Sequence, residues 1–353
     1  MARLSRFKIV SLAGVFVLGL FAVPLPQPYV FPTLPYFPSM PVASGNPPTI
    51  AGVELGRYLF YDTALSLDST VSCSSCHKQE HAFSDLEVRF SQGFHGAPQE
   101  RNTPGLFNLA WYNGMFWDGR AASIEDQIFE PVRNHHEMNL SWMVVESRLR
   151  SSTMYPPMFE KAFGEMPIDS HLVSYALAQF LRTLISHQSK YDRVLSGETY
   201  FTDDEYQGFV IVNDQSMGNC LPCHTTDAHG LGTNGGFANN GLQESKSTTF
   251  DPGLYNVTKN PKDAGRFKIP SLRNLKFTAP YMHDGRFATI REVIDFYSEG
   301  VINQPTIDNK MAHASTGGMA FTETEKMQIL AFLQTLNDSV FVSDPRFSNP
   351  FEP

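Results

Sequence analysis

Two short runs, Cys73-Ser74-Ser75-Cys76-His77 and Cys220-Leu221-Pro222-Cys223-His224, use all four cysteines of this 353-residue chain. A Cys-x-x-Cys-His run is the attachment signature of c-type haem. Its two thiols add across the haem vinyl groups and the adjacent imidazole is held under the iron. The competing readings are a structural zinc site and a thioredoxin-like redox pair. A zinc ribbon brings its two pairs closer in sequence, and neither alternative needs a histidine directly after both pairs. Two covalently attached haems are therefore expected, on Cys73, Cys76 and His77 and on Cys220, Cys223 and His224.

The pattern around both runs is helical. Ile50, Val53, Leu59 and Phe60 have helical spacing ahead of the first run. A loop rich in glycine and proline extends to about residue 122. Ser123 to Asp126 is a capping pattern, and Trp142, Val145 and Leu149 suggest a further helix. The stripe Leu172, Val173, Ala176, Leu177, Phe180, Leu181 and Leu184 marks a longer one after Asp169. Capping boxes begin at Thr202, Thr289 and Thr322. With no sustained alternation, the expected fold is mainly α, with two cytochrome c-like haem domains in tandem. The expected boundaries are 49–199 and 200–345, with the polar run 186–199 as the junction.

Residues 1–23 have a basic start, Arg3, Arg6 and Lys8, followed by an apolar stretch. They read as a signal peptide or an N-terminal anchor, and the expected location is the periplasm, the exported side on which c-type haem is attached. Residues 24–48 hold nine of the 24 prolines and suggest an extended linker. The net charge is −9, or −12 with residues 1–23 set aside (24 basic against 36 acidic). An acidic surface argues against nucleic acid and suits a basic redox partner.

The segment Phe116-Trp117-Asp118-Gly119-Arg120-Ala121, with Gln127 and Glu137-Met138-Asn139 after it, resembles the bacterial dihaem cytochrome c peroxidases and the related MauG enzymes. So does Phe267 to Asn274 continuing into Thr278 to Gly285, and the likeness runs from about Leu55 to Leu336. It implies a first haem that reacts with hydrogen peroxide and a second that handles electrons. Cleaving an O–O bond at a haem needs a group that moves a proton between the two oxygens, and a buried carboxylate suits that task. By the resemblance this group is Glu137, with Gln127 as its hydrogen-bonding partner and Trp117 as the electron path between the haems. Without it, Glu137 would read as a surface carboxylate and Trp117 as core.

The resemblance also implies a calcium ion held by the Asn102 side chain and the carbonyls of Thr278 and Pro280, an all-oxygen set. It offers His95 as a removable distal ligand of the first iron, in a loop one residue shorter before Asn102 than the family's; the other reading is an exposed loop histidine. Fourteen residues after His283, where better-known peroxidases have methionine and MauG has tyrosine, this chain has Tyr297. Ile290, Val293, Ile294 and Tyr297 share a helical face, so Tyr297 is expected inward as distal ligand of the second iron. Met282, Met311 and Met319 are competitors.

The expected activity is reduction of hydrogen peroxide with electrons from a cytochrome c or cupredoxin. A MauG-like oxidase that modifies a protein or peptide side chain is the first alternative, favoured by Tyr297. A non-catalytic dihaem electron carrier is the second, and it has no use for Glu137 and Gln127.

Overall fold

The structure, a computed structural model, describes residues 26–41, 43–227 and 229–352. The expected export segment lies outside the described residues. Among them, no helix is long and apolar enough to cross a membrane.

Among the described residues eleven α-helices follow one another: α1 (Ile50–Tyr61), α2 (Cys73–Cys76), α3 (Ile124–Arg133), α4 (Trp142–Ser151), α5 (Tyr155–Phe163), α6 (Ser170–Thr183), α7 (Lys190–Leu195), α8 (Asp203–Asn213), α9 (Tyr255–Thr258), α10 (Ile290–Asp295) and α11 (Glu323–Thr335). The only β pairing longer than a bridge among the described residues joins Phe237–Ala238 to Phe267–Lys268, antiparallel. Local chemistry sets many of the ends. Thr202, Thr289 and Thr322 each close a reciprocal box with the glutamate three residues on, and Asp169 Oδ1 accepts from Leu172 N at 2.9 Å.

One packing device occurs twice. In α1, a Cβ on Gly56 would sit 1.9 Å from the Ala176 carbonyl oxygen and 2.8 Å from Phe180 Cβ of α6. In α8, a Cβ on Gly208 would sit 1.9 Å from the Gln328 carbonyl oxygen and 2.8 Å from Phe332 Cβ of α11. Each crossing therefore depends on a residue without a side chain, with a phenylalanine one turn further along the partner helix. The first crossing anchors a core that includes Leu55, Leu59, Phe60, Val173, Leu177 and Phe180. The second anchors a core of Tyr191, Ile211, Val212, Ile329, Phe332 and Leu336. A smaller cluster gathers Leu242, Phe296, Val301 and Ala314, with Tyr297, Met282 and Met311 against it.

The halves are laced together more tightly than the polar run at 186–199 suggests. That run contains α7, whose Tyr191 is fully buried in the second core and whose Asp192 pairs with Arg273, itself fully buried. The tail returns to the first half, where Phe341 and Phe347 pack with Phe83. The described part of the proline-rich stretch also lies on the body. Phe37 packs against Trp111 at 5.6 Å between ring centroids, the Tyr36 carbonyl accepts from Gly230 N at 2.7 Å, and Asn46 donates to Glu125 at 2.8 Å.

Candidate active site

Both Cys-x-x-Cys-His runs are single turns in which the histidine N–H returns to the first cysteine carbonyl, at 3.0 Å for His77 and 2.8 Å for His224. No disulfide joins any of the four cysteines. Burial pushes Cys73 up to about 12, Cys76 to about 11 and Cys220 to about 12, and the carboxylate of Glu137 adds to the rise at Cys73 and Cys76. A thioredoxin-like pair works with a lowered thiol pKa, the opposite of the direction in which burial moves these thiols. The zinc reading fails on geometry: among the described residues, no three His, Cys, Asp or Glu side chains converge on a metal-sized point.

The histidines suit iron. His77 Nδ1 lies 2.7 Å from the Phe83 carbonyl and His224 Nδ1 3.4 Å from that of Gly232, so each ring can donate there and present Nε2 as a ligand. Burial lowers both pKa values, that of His224 to about 4, which keeps the rings neutral. Cys220, Cys223 and His224 open onto a large cavity walled by Val212, Leu272, Ile290, Ile294 and Leu333. A covalently held haem fits this donor set and this apolar lining.

Glu137 lies beyond the C-terminal end of α3, partly buried, and its field reaches the first pair of thiols. Burial raises its pKa above the ordinary carboxylate range, while a 2.8 Å hydrogen bond from Asn134 Nδ2 to Oε1 and the charge of Arg120 pull the other way. The partner seen here is thus Asn134, at the helix end. Gln127 lies partly buried on α3 and, among the described residues, makes no hydrogen bond to Glu137. Nothing in periodicity marks Asn134; its position three residues before Glu137, at the helix C-cap, is the only signal.

Trp117 is buried, and Nε1 donates to the Asn102 carbonyl at 2.8 Å. Its ring meets His283 edge-on at 6.5 Å between centroids, and His283 stacks on Phe267 at 3.7 Å. It lines the second cavity together with Pro104, whose carbonyl also bonds to His77. The Asn102–Pro104 stretch and Trp117 thus lie on the cavity that Cys220, Cys223 and His224 open onto, and Pro104 also reaches His77. Asn102, Thr278 and Pro280 lie along the same cavity.

His95 is placed differently from a distal ligand. Its side chain is 75% exposed, stacked on Phe94, with Nε2 3.8 Å from Asp68 Oδ2. The loop is fixed there by Phe94 N donating to the Glu137 carbonyl at 2.7 Å and by the tight approach of Gly93 to His136 and Glu137.

Tyr297 follows α10 in a π-helical turn, Phe296–Gly300, a distortion frequent at functional sites. It lines the second cavity with Ile290, Val293 and Ile294, and burial pushes its phenol up to about 12. Asn240, which no sequence signal marks, donates through Nδ2 to the Tyr297 hydroxyl at 3.1 Å and lies 3.8 Å from Met282 Sδ. Met311 and Met319 line the same space.

Two such motifs, each with a neutral imidazole whose Nδ1 is held by a backbone carbonyl, define a dihaem protein of c type. Residues 50–200 match the family described as di-haem cytochrome c peroxidase. Over 306 residues the chain is 36% identical to the methylamine utilization protein MauG of Methylorubrum extorquens, covering 84% of this chain and 81% of that one. It is 31% identical over 351 residues to the cytochrome-c peroxidase IdrP1 of Pseudomonas sp. strain SCT, covering 91% and 90%. The crystal structure of a MauG-like protein associated with microbial copper homeostasis superposes with a TM-score of 0.81 at 34% identity, covering 92% of this chain and 99% of that one. The chain belongs to the di-haem cytochrome c peroxidase family, whose members among these relatives include both MauG proteins and peroxidases.

Proposed function

We propose that the protein is a periplasmic dihaem peroxidase that reduces hydrogen peroxide to water with electrons from a small cytochrome c or cupredoxin. The observation that carries this reading is Glu137, a desolvated carboxylate within electrostatic reach of Cys73 and Cys76. The haems, when bound, supply the iron that takes up peroxide and the reducing equivalents that break its O–O bond. Glu137 takes the proton from one peroxide oxygen and returns it to the other, so that the departing oxygen leaves as water. Asn134 keeps enough of the carboxylate ionised to accept that proton. Trp117 shortens the electron path between the haems, and Gln127 contributes to the polar side of the Glu137 pocket.

In this reading His77 and His224 hold the two irons, Tyr297 is the distal ligand of the second, and Asn102, Thr278 and Pro280 hold calcium. The repeated glycine crossings, Gly56 and Gly208, support two cytochrome c-like units in tandem. The exposed position of His95 supports a first haem that is ready without prior reduction. Tyr297 also favours a second reading, a MauG-like oxidase that turns the oxidising equivalents on a protein or peptide side chain.

Steady-state peroxide turnover with reduced cytochrome c or cupredoxin, with and without prior reduction of the enzyme, tests the proposal. Turnover in both conditions is expected, on protein that contains two haems by pyridine haemochrome assay. Two haems without turnover from either donor class would reject the peroxidase reading. Asn134→Ala is expected to move the midpoint of the pH–rate profile for peroxide upward, because a hydrogen bond that favours the ionised carboxylate is lost. An unmoved midpoint would remove Asn134 from the site.

A further inference from the structure

The cavity above Cys220 and Cys223 is lined by three fixed cationic side chains, Lys268, Arg273 and Lys310, and by no aspartate or glutamate among the described residues. Two of the cations are already engaged. Arg273 pairs with Asp192 and donates to the Gly230 carbonyl at 2.6 Å, and Lys310 Nζ lies 3.3 Å from the Pro222 carbonyl. Lys268 is different. It is 6% exposed and, among the described residues, its ammonium makes no ion pair or hydrogen bond. Its one favourable contact is the face of Tyr112, with Nζ 4.6 Å from the ring centroid.

A buried ammonium without an anion is costly, and burial alone pulls its pKa down to about 8. Such a group persists where an anion completes it. The backbone fixes its place: Lys268 N donates to the Trp117 carbonyl at 2.8 Å, and the residue pairs with Phe237 in the short antiparallel ribbon. The side chain is thus held beside Trp117, on the cavity that Cys220 and Cys223 open onto.

We propose that the Lys268 ammonium binds a propionate carboxylate of the haem attached at Cys220 and Cys223. The proposal rests on the second haem occupying this cavity and needs neither peroxide chemistry nor Tyr297 ligation. A haem carries two carboxylates on one edge, and Lys268 neutralises one of them beside Trp117 through a charge-assisted hydrogen bond. The consequence is electrostatic. A cation at the haem edge favours the reduced iron and raises the potential of the second haem, on the side from which electrons pass toward Trp117.

The test uses the full-length holoprotein and compares K268M, K268Q and K268R with the parent. Resonance Raman reads the propionate bending mode, and spectroelectrochemical titration reads the potential of each haem. K268M is expected to shift the mode and lower the potential of the second haem alone, while K268R keeps both near the parent values. K268Q, whose amide can still donate to the carboxylate, lowers the potential with a smaller change in the mode, and it carries the test if K268M does not accumulate. Unchanged mode and potential in the neutral variant obtained would overturn the assignment. So would a change confined to the haem on His77.

Discussion

Replacing Glu137 by glutamine is expected to slow peroxide cleavage by about two to four orders of magnitude, the usual cost of losing one positioned acid–base group. The amide preserves shape and accepts the hydrogen bond from Asn134 Nδ2, so both haem spectra should stay near native. Stopped-flow mixing with peroxide measures the effect. The pH dependence follows from burial, which raises the Glu137 pKa above the ordinary carboxylate range. The ionised form is the one that accepts a proton, so the parent rate should rise with pH through that raised pKa and fall away below it. In Glu137→Gln this limb should disappear. A variant that reacts at the parental rate would remove Glu137 from the chemistry and take the peroxidase reading with it.

The second large effect is expected from Tyr297→Phe. A phenolate donates more charge to iron than a thioether and holds it in the oxidised state. Its removal should raise the potential of the second haem, within the roughly 0.8 V range that axial ligation spans. The parent ferric spectrum should lack the near-infrared methionine-to-iron band. In the variant, Met282 is the sulphur placed to substitute, since its Sδ and the Tyr297 hydroxyl share the Asn240 amide. A methionine band already present in the parent and retained in the variant would place a thioether on the second iron. It would also return the protein to the peroxidases that need reduction before they act. The proposed ligation by Tyr297 and the exposed His95 point the same way: a low-potential second haem would be a poor trigger for releasing a ligand, and His95 lies against Asp68, at the surface.

The parts of this protein legible in its sequence are those that depend on covalent chemistry or on neighbours within a few residues. The haem runs are contiguous, so Cys73 to His77 and Cys220 to His224 identify themselves. The capping boxes at Thr202, Thr289 and Thr322 join residues three apart, and each forms as read. The inward face of Ile290, Val293 and Ile294 follows from helical period alone, and it carries Tyr297 to the cavity even though the helix loosens into a π turn there. Glu137 and Trp117 were singled out only through likeness to a family; in the structure Trp117 is buried and Glu137 half-buried.

What only the tertiary structure decided are the pairings between distant segments. Gly56 and Gly208 look like ordinary helix-weakening glycines until a second helix is laid across each, because close approach is a property of two helices. The proline-rich stretch reads as a linker, and only the positions of Trp111 and Gly230 give Phe37 and Tyr36 something to pack on. Asn134 is the hydrogen-bond partner of Glu137 because the chain leaves α3 in a turn, which brings the C-cap amide and the carboxylate three residues on within 2.8 Å. Lys268 shows the same limit from the other side. A lysine in sequence is a surface residue by default, and its burial without a partner is visible only once Trp117, Tyr112 and the second haem cavity are assembled around it.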